Sequence, residues 1–339
     1  MLPKYILVGA LAFLLVACNL PVTPTPERSP PPVTFVPPET EIPPEQAIDP
    51  PLPPVPTATV PEPNPTLAYH FCEPGSAIVS VEFPLARPIS PAGRDYVDVA
   101  YRYGGTAGGQ LEPHTGVEFV NSTGTPVLSA ANGTVVRAGD DADGTAGPYR
   151  NYYGFLVVIE HQFDFWDEPV YTLYGHLSEV LVEEGDEVEV GEQIGVVGAS
   201  GIALGSHLHF EVRLGENSFE NTANPELWLA PRFTEDDLEL GMLAGYVINL
   251  EGELVRPGTV EVDYLSPEFD EPEDEPRTFF LEPYASDIMN PDPRWGEIFV
   301  AGDVLPGEYM VSTVANGYRE QRVEVRPGQL TLVAFCLGQ

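Results

Sequence analysis

The sequence predicts an all-β protein carried on a disordered N-terminal stalk. Three observations support that expectation. From about His70 onward, apolar residues alternate at period two in short runs. Glycines and Asn-Gly or Gly-Asp turns punctuate those runs, and no convincing amphipathic helix interrupts them. Ahead of them, 18 of the 46 residues from Pro21 to Thr66 are proline, so that stretch cannot bury a core of its own.

The chain opens with MLPKYILVGALAFLLVACNL, one lysine followed by an apolar run too short and too early to span a membrane comfortably. Residues 1–17 therefore read as a secretory signal. The closing Leu15-Val16-Ala17-Cys18 resembles the bacterial lipobox, which implies that Cys18 is lipidated at its thiol and becomes the mature N-terminus. An uncleaved anchor helix is the other reading. Both put the remainder outside the cytoplasm, and the lipobox implies a lipid anchor on the bacterial cell membrane. The lipidated cysteine and proline-rich linker occupy residues 18–67. As polyproline II, at about 3.1 Å per residue, this stalk reaches roughly 140 Å. A docking site for proline-binding modules suits an extracytoplasmic segment less well.

Charge bounds the partners. The formal net charge is -37 and Lys4 is the only lysine, which argues against nucleic acid. Anionic headgroups would repel such a chain, so membrane attachment is expected through acyl chains and not through a basic patch. The acidity reads as a solubility adaptation, and a monomer is expected. An oxidising compartment permits disulfides. Cys72 opens the folded region and Cys336 nearly closes it, so they are predicted to pair, against the alternative of two buried thiols. Closing so long a loop is worth about 5 kcal/mol by chain entropy, less any strain.

Residues 68–230 form the first predicted β domain, with strands in GTPVLSAANGTVVRAG, FLVVIEH, VYTLYGHL and GEQIGVVG. The stretch LVEEGDEVEVGEQIG reads as a hairpin with a solvated acidic face. Two insertions, DDADGTAGPYRNYYG and HQFDFWDEP, carry aromatic residues that either wall a groove or pack loops onto the sheet. After the connector FTEDDLELG, residues 240–339 predict a small β-sandwich from LAGYVIN, TVEVDYL, IFVAG, EYMVSTV, QRVEV and LTLVAF. Within it, VLPGEYMVSTVANGY resembles the prealbumin-like modules appended to carboxypeptidases. No catalytic set is visible there. The acidic loop from Asp270 to Glu275 lacks the ligand and glycine spacing of a calcium site and reads as solvated.

The chemistry-bearing residues are histidines. His114 stands in HTGVEF, His176 in YGHL, and His207 and His209 in GSHLHFEV. In an extended strand His207, His209 and Glu211 share one face, and Leu208, Phe210 and Val212 the other. His114 and Glu118 also have equal parity. Imidazole and carboxylate are ligands that zinc accepts, and a histidine from a remote strand would complete a three-ligand site with an open position. No HExxH occurs, and GASG lacks the spacing of a serine-hydrolase elbow. His161 follows a buried strand and reads as structural or supporting; His70 carries no signal.

HTGVEF, GTPVLSAANGTVVRAG, YGHLSEVLVEEGDEVEVGEQIGVVGASG and GSHLHFEVRL, in this order over about 130 residues, resemble the lysostaphin-type zinc endopeptidases, metallopeptidase family 23. The resemblance implies an antiparallel β domain with a groove over its sheet, acting on peptide stems or cross-bridges of peptidoglycan. It implies zinc held by His114, Glu118 and His209, with His176 and His207 as the unligated catalytic pair. Which of the two manages the attacking water and which the oxyanion stays open. The family has aspartate where this chain has Glu118, and the added methylene displaces the carboxylate by far more than the about 0.2 Å tolerance of a ligand distance. Were that to spoil the site, the chain would be a catalytically silent wall-binding or hydrolase-activating lipoprotein. An adhesin-like role for the C-terminal sandwich is a third reading.

Overall fold

The computed structural model describes residues 75–144, 146–265, 278–286 and 288–337. The signal segment, Cys18, the stalk, His70, Cys72 and the acidic loop at 270–275 lie outside the described residues. The described residues fall within one unit, 54–339.

They are almost wholly strand and turn, with no α-helix among them. In chain order the first ten strands are β1 (Gly75–Ser80), β2 (Val117–Phe119), β3 (Pro126–Leu128), β4 (Gly133–Asp140), β5 (Phe155–Phe165), β6 (Glu168–Val180), β7 (Glu187–Val188), β8 (Gln193–Val197), β9 (Leu208–Leu214) and β10 (Thr222–Ala223). The remainder are β11 (Gly241–Ile248), β12 (Val260–Tyr264), β13 (Thr278–Leu281), β14 (Phe299–Val304), β15 (Gly307–Val314), β16 (Tyr318–Val325) and β17 (Gln329–Cys336).

Three sheets result. The largest has nine strands along the path β10-β9-β6-β5-β4-β7, with β2 on β9 and with β8 joining β6 to β3. Every pairing in it is antiparallel. The second sheet runs β1-β17-β11-β14 and the third β13-β12-β15-β16. The second contains a parallel pair, β11 with β17. It also takes β1 from the beginning of the described chain, so the division expected from sequence, at 68–230 and 240–339, is crossed by one strand.

The predicted hairpin in LVEEGDEVEVGEQIG is corrected by the structure. β7 pairs with β4, whereas β8 pairs with β3 and β6. Two tight turns, Asp186 N–H to Glu183 O and Glu192 N–H to Glu189 O, leave only a two-residue strand between them. Its acidic residues stay exposed as expected.

The layers are fused by shared cores. One face of the nine-stranded sheet, through Val117, Phe119, Val157, Ile159, Tyr174, Leu208, Phe210 and Val212, packs in the same cluster as Met242, Ala244, Val300, Leu330 and Leu332 of the second sheet. The opposite face of the second sheet, through Leu243, Val247, Phe299, Val333 and Phe335, packs against Val260, Val262, Val311 and Val323 of the third. β11 and β17 are thus buried on both faces, which is why GMLAGYVI and QLTLVAFC are nearly continuous apolar runs. Each fully buried Leu, Phe or Val contributes about 1.5–3 kcal/mol.

The second aromatic insertion packs; it does not wall a groove. Trp166 and Asp167 (φ 54° and 65°) form the two-residue left-handed turn between β5 and β6. Phe165 stacks on Trp166 at 4.4 Å and meets Trp228 edge-on at 5.2 Å. The guanidinium of Arg294 covers Trp228 at 4.4 Å.

Candidate metal centre

β9 realises the predicted alternation. Leu208, Phe210 and Val212 enter the shared core, while His209, Glu211 and Arg213 lie on the other face, buried all the same. Glu118 of β2 stands directly opposite His209 in the register. On the other side His209 faces Gly175 of β6, where a Cβ would press the Tyr153 ring at 3.1 Å.

His114 reaches the site differently from the expectation. It precedes β2 and is carried by a loop, not by an extended strand. Its N–H donates to Gly105 O (3.0 Å) and its carbonyl accepts from Gly104 N–H (2.8 Å). The Tyr101 ring stacks on the imidazole at 4.0 Å and 5°. Gly116 allows the close crossing that follows: a Cβ there would lie 2.5 Å from Phe210 O and 2.9 Å from the His209 ring.

His176 lies in a β-bulge. The β5–β6 register jumps from Val157 opposite Tyr174 to Phe155 opposite Leu177, and His176 absorbs the extra length with φ 61°. A non-glycine residue there costs on the order of 1–2 kcal/mol, offset by N–H donation to Tyr153 O (2.8 Å) and an Nδ1 bond to Ser200 O (2.9 Å). The bulge brings the ring within 4.8 Å of His207 and 5.6 Å of His209, centre to centre.

Burial, with His209 alongside, lowers His114 and His176 to about 3 and His207 to about 4, so all three are neutral near pH 7. Their hydrogen bonds then assign the tautomers. Nδ1–H donates to Tyr101 O from His114 (2.8 Å), to Ser200 O from His176 and to Gly205 O from His207 (3.1 Å). Each keeps a lone pair at Nε2. In His209 the order reverses, because Nε2–H faces Glu211 Oε1 at 3.0 Å and leaves the lone pair at Nδ1.

Acceptor atoms of four side chains consequently crowd together. His114 Nε2 lies 3.1 Å from His209 Nδ1 and 3.0 Å from Glu118 Oε1, which is 3.3 Å from His209 Nδ1. His207 Nε2 lies 2.5 Å from Glu118 Oε2, a buried oxygen with no hydrogen-bond donor. Such a cage repels itself unless a positive charge enters. The triangle of His114, Glu118 and His209 also has the right size. Ligand bonds of about 2.0–2.1 Å in a tetrahedron give edges of about 3.3–3.4 Å, matching the longest observed edge of 3.3 Å and a few tenths above the other two. These residues form the one such group of three or more metal-ligating side chains among the described residues.

Around the triangle runs a supporting layer, of which the sequence reading placed only Glu211 on the histidine face. Glu211 accepts from Thr115 Oγ1 (2.7 Å), Tyr153 OH (2.7 Å) and His209 through Oε1, and from Arg213 Nε (2.8 Å) through Oε2. Burial pushes the Glu211 carboxyl up, but the Arg213 guanidinium and the His209 bond outweigh it and hold it well below the usual carboxylate range. Arg213 also donates to Tyr153 OH and Ala146 O (3.0 Å each). The signal was present in HLHFEVR, whose period of two places residues 209, 211 and 213 in one row. His161, in contrast, bonds Asn132 O and Thr172 Oγ1 away from this cluster and is structural.

Residues 112–221 match the family model described as peptidase family M23, a segment containing His114, Glu118, His176, His207 and His209. The chain is 40% identical over 106 residues to an uncharacterized metalloprotease of Haemophilus influenzae, a match covering 31% of this chain and 20% of that protein. It is 36% identical over 103 residues to the peptidoglycan DD-endopeptidase ShyA of Vibrio cholerae, covering 30% and 21%. It is 39% identical over 98 residues to the lipoprotein NlpD/LppB homolog of Pseudomonas aeruginosa, covering 29% and 28%. The chain thus spans between a fifth and a third of the length of these curated relatives.

Proposed function

We propose that this protein is a zinc-dependent endopeptidase that hydrolyses peptide bonds of peptidoglycan while anchored by lipid to the outer side of a bacterial membrane. The observation that carries this reading is the near-equilateral triangle of lone pairs on His114 Nε2, Glu118 Oε1 and His209 Nδ1. The similarity to peptidase family M23, and to a peptidoglycan DD-endopeptidase over the same region, supports the choice of reaction and substrate.

When bound to those three atoms, zinc supplies Lewis acidity toward a scissile carbonyl and toward water. The chain's own residues do the rest. His176 and His207 each commit Nδ1–H to a carbonyl and keep Nε2 as a base. Either can take a proton from the attacking water. The imidazolium so formed can return it to the leaving amine. Burial holds both rings neutral, so each keeps its Nε2 lone pair at pH 7. Glu211 and Arg213 lock the His209 tautomer that presents Nδ1.

Glu118 stands in this scheme where the resembling family has aspartate, its Oε1 closing the triangle. Lipidation at Cys18 belongs to the same proposal, as does a Cys72–Cys336 bridge. β1 pairs with β17 so that Gly75 lies opposite Ala334, two residues from Cys336, which supports that bridge.

Metal analysis together with a muropeptide digest tests the proposal. The wild-type chain should carry about one zinc, as an open three-ligand site requires, and release cleaved stems. His209→Ala should lose both. A chain that binds wall without zinc, and does so equally as His207→Ala, would mark a catalytically silent lipoprotein instead. Faster cleavage by Glu118→Asp would identify glutamate as a detuned ligand.

A further inference from the structure

The loop that delivers His114 is itself held by the C-terminal part of the chain. Residues 101–114 leave and return through a neck where Gly104 and Gly105 bond His114 on both sides. Beyond the neck, Glu282, next after β13, faces the loop. Its Oε2 accepts from the N–H groups of Thr106 (3.0 Å) and Gly108 (3.3 Å), and its Oε1 accepts from the Thr106 hydroxyl. The same hydroxyl accepts from Gly109 N–H (2.8 Å), and Thr106 O accepts from Gln110 and Leu111. One carboxylate therefore anchors the start of a turn that Thr106 itself closes.

Adjacent contacts share the seam. Ala285 N–H donates to Gly104 O at 2.8 Å, and a Cβ on Gly104 (φ 76°) would collide with the Tyr284 ring at 2.4 Å. Partial burial raises the Glu282 carboxyl, but the bonds from Thr106 and Gly108 outweigh it and hold it below its usual value, in keeping with a carboxylate whose role is to accept. From the loop, order passes to the site by two short routes. Gly105 O takes the His114 N–H, and Tyr101 both stacks on the ring and takes its Nδ1–H.

We infer that Glu282 is a positioning residue for the metal centre: supplied by the third sheet, it sets the path of loop 101–114 and thereby the place of His114 Nε2 in the triangle. The C-terminal sheets are then part of the site's construction and not an appended module with separate duties. This inference rests on the reading of His114 as a ligand.

The test is zinc affinity of the full chain, by competition with a chelator, together with the visible spectrum of bound cobalt. Glu282→Ala should weaken zinc about tenfold or more, in the range seen when supporting partners of ligands are removed. It should also alter the cobalt spectrum, with partial recovery in Glu282→Gln, which keeps one acceptor oxygen. Arg322→Ala, which breaks an exposed ion pair with Glu308 in the same sheet, should leave both readouts unchanged. If Glu282→Ala does not fold, Thr106→Val removes the hydroxyl from the opposite side and should shift affinity in the same direction. Wild-type affinity in a folded Glu282→Ala, or in Thr106→Val, overturns the inference alone. A wild-type chain that binds no zinc overturns both it and the reading of His114.

Discussion

Glu211 supports this site without belonging to the triangle of His114, Glu118 and His209. It fixes which nitrogen of His209 carries hydrogen, and it balances a guanidinium that is completely buried. Replacing it by glutamine keeps the shape but removes the charge. On the proposed zinc reading, zinc affinity should then fall about 10- to 100-fold, because the imidazole faces a neutral amide oxygen in place of a carboxylate and loses part of its basicity. The fold should lose about 3–5 kcal/mol, since Arg213 is left buried without its counter-charge. Chelator competition and denaturant titration on Glu211→Gln measure the two separately; unchanged values in both would contradict the supporting role. Gly175 and Gly116 act by omission, one admitting the Tyr153 ring beside His209 and the other the crossing of the His114 segment.

At the scale of elements, the hairpin of β5 and β6 carries a pH response that owes nothing to the metal centre. His161 on β5 lies within the β5–β6 layer, with Nδ1 3.2 Å from Asn132 O and Nε2 2.9 Å from Thr172 Oγ1. Burial lowers it from 6.5 to about 4. The unfolded chain therefore binds this proton at higher pH than the folded one. The stability tied to neutral His161 is complete above about 6.5, declines as pH falls through that value, and is fully lost near 4. The span corresponds to about 3 kcal/mol for this residue. Denaturant midpoints at pH 7, 5.5 and 4.5 should decline together, and substitution of His161 by glutamine should flatten part of that decline. A midpoint constant from pH 7 to 5 would exclude the effect.

The whole molecule shows an opposite response at the seam between its layers. Glu297 and Asp292 are both fully buried. Glu297 Oε1 accepts from Tyr284 OH at 2.7 Å, and Tyr284 OH accepts from Asn224 Nδ2 at 3.0 Å. Asp292 takes Trp228 Nε1–H (3.0 Å) and a two-pronged bond from Arg294. Burial, with the charge of Asp292 beside it, raises Glu297 to about 8. The folded state holds this proton where the unfolded chain releases it. The associated stability is therefore complete below about 4.5 and is lost as pH rises toward 8. Glu297→Gln should remove that loss, so its stability relative to wild type should improve between pH 5 and pH 8. A constant difference across that range would place the proton elsewhere.

Much of this architecture is written in local pattern. Period-two alternation sorts Leu208, Phe210 and Val212 from His209, Glu211 and Arg213 before any partner is known, because a strand turns successive side chains to opposite faces. The β character of the chain and the strands from β11 to β17, apart from β13, are legible for the same reason. Parity likewise drew Glu118 toward the histidines, although the loop path of His114 was hidden. Only the tertiary structure decided the rest. It placed β1 in the sheet of β17, split the apparent hairpin by sending β7 to β4 and β8 to β3 and β6, bent β6 to aim His176, and tied the His114 loop to Glu282 across 176 positions from Thr106. Each of these depends on which remote backbone offers a free edge or an unpaired donor, a choice that no short window of residues contains.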